Sequence, residues 1–310
     1  MQDAVMQLNV PLCLRRESWD GRPLVEGWNS ARAHEYLLAL QREIAANADE
    51  FADFRIVAMR WGGGLASMAS AQDISDTMRL VRQRYAVADD APVTLEASIS
   101  NISGASMPFF RRAGITRFDF EMMQLTPMAF SRVNSTDHLG DLDLVADDFL
   151  KAYATDLLGM VLLYGFGAAD PNGFRQSITA FLCSKASHLR LVRAEGPDAL
   201  DDETAEAQLA AATVRLEEAG FRQYAPLHFA RPGKEDRFAL LTGGRYGESG
   251  VADRRQAVAL EVPVLAFGLR AQTIADGVLA SNTGDFGAYC AWADDFARIT
   301  ESVVPLAAEG

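Results

Sequence analysis

The chain is poor in the residues that staple small secreted or metal-bound proteins together. It has 3 cysteines in 310 residues, and Cys13, Cys183 and Cys290 lie far apart. An odd, scattered set excludes a disulfide framework and any paired zinc spacing. It has 4 histidines, and His34, His138, His188 and His228 stand at no mutual spacing typical of metal ligands. Basic charge is scarce, with 29 Lys and Arg against 42 Asp and Glu and a formal net charge of −13. An acidic surface is repelled by nucleic acid and by anionic membranes, so neither is expected as a partner. No apolar run reaches the roughly 20 residues that a membrane span requires. The start, MQDAVMQLNV, lacks the basic stretch and apolar core of a signal peptide, which makes a cytoplasmic protein the expectation. There is no Gly-x-Ser-x-Gly elbow, no phosphate loop with a lysine and no spaced dinucleotide fingerprint.

What is present is a rhythm. Short apolar, β-branched runs alternate with longer segments of helical periodicity. Strands are expected at residues 5–12, 54–61, 92–97, 116–123, 157–164 and 187–192. Helices are expected at 28–46, 70–85, 107–113, 141–153 and 171–184. In the first helix Tyr36, Leu37, Leu40 and Ile44 fall on one face. Six strand–helix alternations imply an α/β protein with a parallel sheet covered by helices. With every helix on one side, the sheet curls into a barrel or most of one. After Arg193 the rhythm breaks. An acidic loop leads into a long helix closed by Gly220, and shorter, glycine-rich segments follow. The expected division is a barrel over residues 1–196 and a smaller mixed α/β unit over 197–310.

Three features stand out against this frame. WGGGLAS places Gly62, Gly63 and Gly64 just after a strand, where bare backbone can approach a ligand closely and offer several N–H groups. The same glycines also suit a tight strand-to-helix turn with no ligand. Glu96, in VTLEAS, is a lone carboxylate at the C-terminal end of an apolar strand, the end that carries the active site in α/β barrels; a solvated strand end is the alternative. Cys13 ends LNVPLC and is either a working thiol or a buried one, with only Arg15 and Arg16 nearby to activate it.

The order of these pieces resembles the oxygen-independent coproporphyrinogen III oxidase group of radical S-adenosylmethionine proteins, including its haem-chaperone relatives. LNVPLC is similar to that family's first strand, which ends in Pro-Phe-Cys. RWGGGLASMAS is similar to its Phe-Gly-Gly-Gly-Thr-Pro segment and VTLEAS to Thr-Leu-Glu-Ala-Asn-Pro. LLYGFG is similar to Ile-Tyr-Gly-Leu-Pro-Gly, and LHFARPG to Asn-Phe-Ala-Arg-Pro-Gly. RRAGITRFDF, LAFGLRAQT and LASNTGDFGAYCAW also match in order. Each fragment is weak alone; their collinearity over nearly the whole chain is not.

The resemblance implies a partial (β/α)6 TIM-like barrel and a family C-terminal domain. It implies that Gly62, Gly63, Gly64, Glu96, Tyr164 and Gly165 are the family positions retained for binding S-adenosylmethionine. It also exposes losses. The family holds its four-iron cluster with Cys-x-x-x-Cys-x-x-Cys. Here Cys13 keeps the first place, while the next two are Glu17 and Asp20. One thiol and two carboxylates suit a soft cluster poorly, so no iron–sulfur cluster is expected and Cys13 reads as a vestige. Other positions expected to contact S-adenosylmethionine fall on Gln7, Asn9, Val161 and near Met123 and Ser135. A His-Asn pair of the haem chaperones falls on Phe238 and Ala239.

Three functions follow as expectations. One is a cluster-free accessory or scaffold subunit, a pseudoenzyme partnered by an active relative or another protein in a biosynthetic pathway. Another is an enzyme that binds S-adenosylmethionine or a different small molecule at the barrel mouth for non-radical chemistry such as methyl transfer. A third is a haem- or tetrapyrrole-binding protein, with His228 as the axial ligand.

Overall fold

The computed structural model describes residues 1–12, 28–125, 147–148, 150–151, 157–167, 172–196, 198–247 and 250–306. The chain opens with β1 (Gln2–Asn9), α1 (Ser30–Ala46), β2 (Phe54–Gly62), α2 (Ala71–Arg84), β3 (Ala86–Val87), β4 (Val93–Ala97), α3 (Met107–Ala113) and β5 (Arg117–Met123). Next come β6 (Leu158–Tyr164), α4 (Gly173–Cys183), β7 (His188–Arg193) and α5 (Asp202–Glu218). The remainder is β8 (Arg222–Ala225), β9 (His228–Ala230), α6 (Arg237–Leu241), α7 (Arg254–Val258), β10 (Val264–Phe267), β11 (Gln272–Ala275), β12 (Val278–Asn282), α8 (Phe286–Trp292), α9 (Phe296–Ile299) and β13 (Thr300–Pro305). The helix expected at 141–153 falls mostly outside the described residues.

Strands β1, β2, β4, β5, β6 and β7 pair in that order, each parallel to the next. This is the α/β architecture and the partial barrel that the strand–helix alternation implies. Helices form where the pattern and caps agree. The Asn29 side chain accepts from the Ala31 and Arg32 amides to start α1, and Ser70 caps α2 through the Asp73 amide. Such caps satisfy amides that have no partner inside the helix. Gly114 closes α3 in the left-handed region, at φ 93°.

The strands that follow residue 196 pair at both edges of the barrel sheet. The β8–β9 hairpin adds antiparallel to β7. At the other edge β10 adds parallel to β1, and β11, β12 and β13 continue antiparallel from it. The described strands thus form one 13-stranded sheet. Its two faces follow from the period of two along a strand. Met6, Leu8, Met59 and Trp61 pack toward α1 and α2 in the large core. Val5 and Ala58, of the opposite parity, pack against Phe238 and Tyr246. On this face α6 packs against β1 and β2 through Phe238. Among the described residues no helix is long and apolar enough to cross a membrane.

Candidate functional site

The glycine ridge is packed from within. Val10 donates its amide to the Gly62 carbonyl at 2.7 Å, and Leu65 donates to the Leu12 carbonyl at 2.7 Å. A Cβ on Gly64 would stand 2.6 Å from the Leu12 carbonyl oxygen and 2.8 Å from that of Val10. Gly63 takes φ 82° and faces the Asn9 side chain. A Cβ on Gly62 would stand 2.9 Å from the Glu96 carboxyl and 3.0 Å from the Gln7 amide nitrogen. The three glycines thus let the tail of β1 and two lumen side chains close against the end of β2. Gln7 in turn donates to Asn9 at 3.0 Å.

Glu96 is fully buried at the end of β4. Its Oε1 accepts from Arg190 Nη2 at 3.1 Å. Arg190 sits on β7, with β5 and β6 between it and β4 in the sheet, so its side chain reaches across the lumen. Both partners are nearly dry, at 6% and 0% side-chain exposure. Such a pair is held by mutual need: either charge alone would be stranded in a low dielectric.

A second charged layer lies beside it. Arg60 on β2 pairs with Asp236 at 2.6 Å, and its guanidinium stacks 4.9 Å from the Phe238 ring centroid. Asp236 also caps α6 through the Phe238 amide at 3.2 Å. Burial pushes the Asp236 carboxyl up, but Arg60 and Arg117 outweigh it and hold it below its ordinary value. On β5 and β7, Asp119 meets Arg117 and His188. Burial and the Arg117 charge lower the His188 pKa against the opposing pull of Asp119. Its ring lies over Gly159, the residue beside it in the β6–β7 register.

His228 is opposite Arg190 in the β7–β9 register. Its Nδ1 lies 2.7 Å from the Pro226 carbonyl, so Nδ1 carries the proton and Nε2 is a buried lone pair. Burial, then Arg60 and Arg190, lower its pKa to about 4. At 8% exposure, facing guanidinium groups, this imidazole offers no open side to a macrocycle. The axial-ligand role expected of it does not fit the site.

Tyr164 and Gly165 belong to a different set of contacts. Gly165, at φ 65°, donates to Gln208 Oε1 at 2.9 Å and accepts from Arg193 at 3.0 Å. Arg193 also lies 5.9 Å from the Tyr164 ring centroid. This corner docks α5 onto β6 and β7. Cys13, Glu17 and Asp20 lie outside the described residues. Cys183 is exposed, and the Cys290 thiol is pushed up to about 11, chiefly by burial. Among the described residues no group of three or more His, Cys, Asp and Glu could hold a metal ion.

The residues that sequence reasoning missed are Arg60, Arg117, Asp119, Arg190 and Asp236. A signal for most of them exists. In FRIVAMRW, RFDFEMM and HLRLVR, charges alternate with apolar residues inside strands otherwise buried, which marks a polar lumen face.

A parallel partial barrel with a polar lumen, its sheet extended at both edges by the C-terminal segment, is the radical S-adenosylmethionine fold of the coproporphyrinogen III oxidase type. The solved structure of coproporphyrinogen III oxidase (HemN) from Escherichia coli, a radical SAM enzyme, superposes with a TM-score of 0.79. It covers 98% of this chain and 72% of its own, at 17% identity. In sequence the chain is 24% identical over 263 residues to the heme chaperone HemW of Mycobacterium tuberculosis, spanning 78% of this chain and 67% of the relative. It is 24% identical over 250 residues to the oxygen-independent coproporphyrinogen III oxidase of Salmonella typhimurium, 74% of this chain but 53% of the relative. No family model matches the chain. The resemblance carried by the collinear motifs is borne out.

Proposed function

We propose that this chain is a cluster-free member of the radical S-adenosylmethionine fold, acting as an accessory or scaffold subunit beside an active relative in a biosynthetic pathway. The observation that carries this reading is the donor set Cys13, Glu17 and Asp20 at the spacing where the family resemblance implies three cysteines. Two hard carboxylates and one thiolate do not fit an iron–sulfur cluster, which selects soft thiolates. Without that cluster no electron reaches a sulfonium, so no radical step is derived for this protein. The lumen supports the same reading, because its charges are paired with one another and serve the packing of the barrel.

The alternative of methyl transfer from S-adenosylmethionine rests on Glu96 and the glycine ridge. Both are engaged by this chain's own groups, which weighs against it. The test is anaerobic reconstitution of the purified protein with iron and sulfide, followed by metal analysis and a visible spectrum. The expected result is a colourless protein without stoichiometric iron. A stable brown protein with about four irons per chain, the content of a four-iron cluster, would overturn the reading.

A further inference from the structure

Glu96 is the one buried carboxylate at the end of β4, pressed over Gly62 with Gln7 alongside. A carboxylate in that setting is a receptor for a cation, because desolvation makes its charge costly until a positive group meets it. The cation here is internal. Arg190 reaches from β7 to place Nη2 3.1 Å from Glu96 Oε1. A guanidinium stays charged at any working pH and fills its site permanently. A second cation brought to Glu96 would lie against Arg190 in a poorly screened interior. The local field has the same sign elsewhere: Arg60 and Arg190 both help to hold the neighbouring His228 neutral.

We infer that Arg190 is the resident occupant of the cation subsite made by Glu96 and Gly62, so the barrel admits no α-ammonium ligand there. S-adenosylmethionine, with an ammonium and a sulfonium, is excluded by the chain's own guanidinium. This inference rests on the cluster-free reading and deepens it, since it concerns the ligand that the fold implies and these residues do not fit.

The experiment is calorimetric titration of the metal-free 310-residue chain with S-adenosylmethionine and with S-adenosylhomocysteine. The proteins compared are the wild type, Arg190→Gln and the double variant Arg190→Gln with Glu96→Gln. Wild type is expected to give no binding heat. Arg190→Gln, which removes the charge and draws the side chain back from Glu96 while keeping a polar amide, is expected to gain affinity by about a hundredfold or more, the scale of one buried charge pair. The double variant is expected to lose that gain. Binding by wild type overturns the inference, and so does a folded Arg190→Gln protein that stays silent. Arg190→Ala covers the case in which Arg190→Gln does not fold. Its melting temperature should rise with methylammonium chloride while that of wild type stays fixed, and the absence of that rise is equally decisive against the inference. The titration uses protein that has never seen iron. Its failure is therefore separate from failure of the cluster-free reading, which the iron measurement alone decides.

Discussion

The Tyr289 hydroxyl donates to Glu43 Oε2 at 2.5 Å, joining α8 to α1 across 246 residues of sequence. The same carboxylate accepts from the Gly268 amide at 2.7 Å and from Asn282 Nδ2 at 2.6 Å. One residue of the first helix therefore gathers the turn after β10, β12 and α8. Nearby, the Tyr36 hydroxyl donates to the Asn9 carbonyl at 2.6 Å and accepts from the Leu269 amide at 2.9 Å. The two residues fix the C-terminal segment against the end of β1.

Glu43 predicts a pH dependence. Burial raises its pKa to about 7, against the pull of Tyr289, Asn282 and Gly268. A folded-state pKa above the unfolded value means stability that is full below about 4.5 and lost as pH rises through about 7. The size is about 3 kcal/mol, from 1.36 kcal/mol per unit. Urea melts of wild type and Glu43→Gln at pH 4.5 and pH 7.5 check it: the stability of wild type relative to the variant should fall by that amount. An offset that does not change with pH would refute it.

His228 acts in the opposite sense. Its depressed pKa of about 4 means stability that is full above about 6.5 and lost as pH falls toward 4, again by about 3 kcal/mol. The two windows overlap, so the effects of Glu43 and His228 largely offset each other in wild type. His228→Gln should therefore unmask the rise in stability on acidification due to Glu43. Glu43→Gln should unmask acid lability instead. Parallel pH profiles for the two variants would disprove the pairing.

The glycine ridge predicts a graded series. Gly64→Ala drives a Cβ to 2.6 Å from a backbone oxygen, which cannot step aside, and should cost more than about 3 kcal/mol, the range of severe core strain. Gly63→Ala strains the backbone at φ 82° and should cost about 1–2 kcal/mol. Gly62→Ala presses on the Glu96 carboxyl, a side chain rather than backbone but one held by Arg190, and should fall between them. Denaturation midpoints read the order directly; Gly64→Ala as the mildest of the three would contradict the packing described.

Arg60 and Asp236 predict coupling. Asp236→Ala strands a guanidinium that is 1% exposed and should destabilise by about 3–5 kcal/mol. Arg60→Met with Asp236→Asn removes both charges and should cost much less than the sum of the single changes. A double-mutant cycle measures the difference, and simple additivity would show that the pair is not coupled.

Much of this protein was legible before folding because strand and helix signals are local. FRIVAMRW, PVTLEA and LLGMVLLY each carry their strand within a few residues, and Gly114 and Gly220 mark helix ends where the structure puts them. The barrel followed from repetition of that unit, and the relation to the coproporphyrinogen III oxidase group followed from motif order. The strands that join both edges of the barrel sheet were not legible, because β10 finds β1 at a separation of more than two hundred and fifty residues with no local marker. The lumen was half legible. Alternation carries a signal that Arg60, Asp119 and Arg190 share a face, but it does not mark them as a site or say what each would meet. Glu96 alone stood out, as a lone carboxylate at the end of an apolar strand. Only the curvature of the sheet brings β7 opposite β4 and lays Arg190 on that carboxylate, since the pairing of buried charges is set by distance through the lumen and not by distance along the chain.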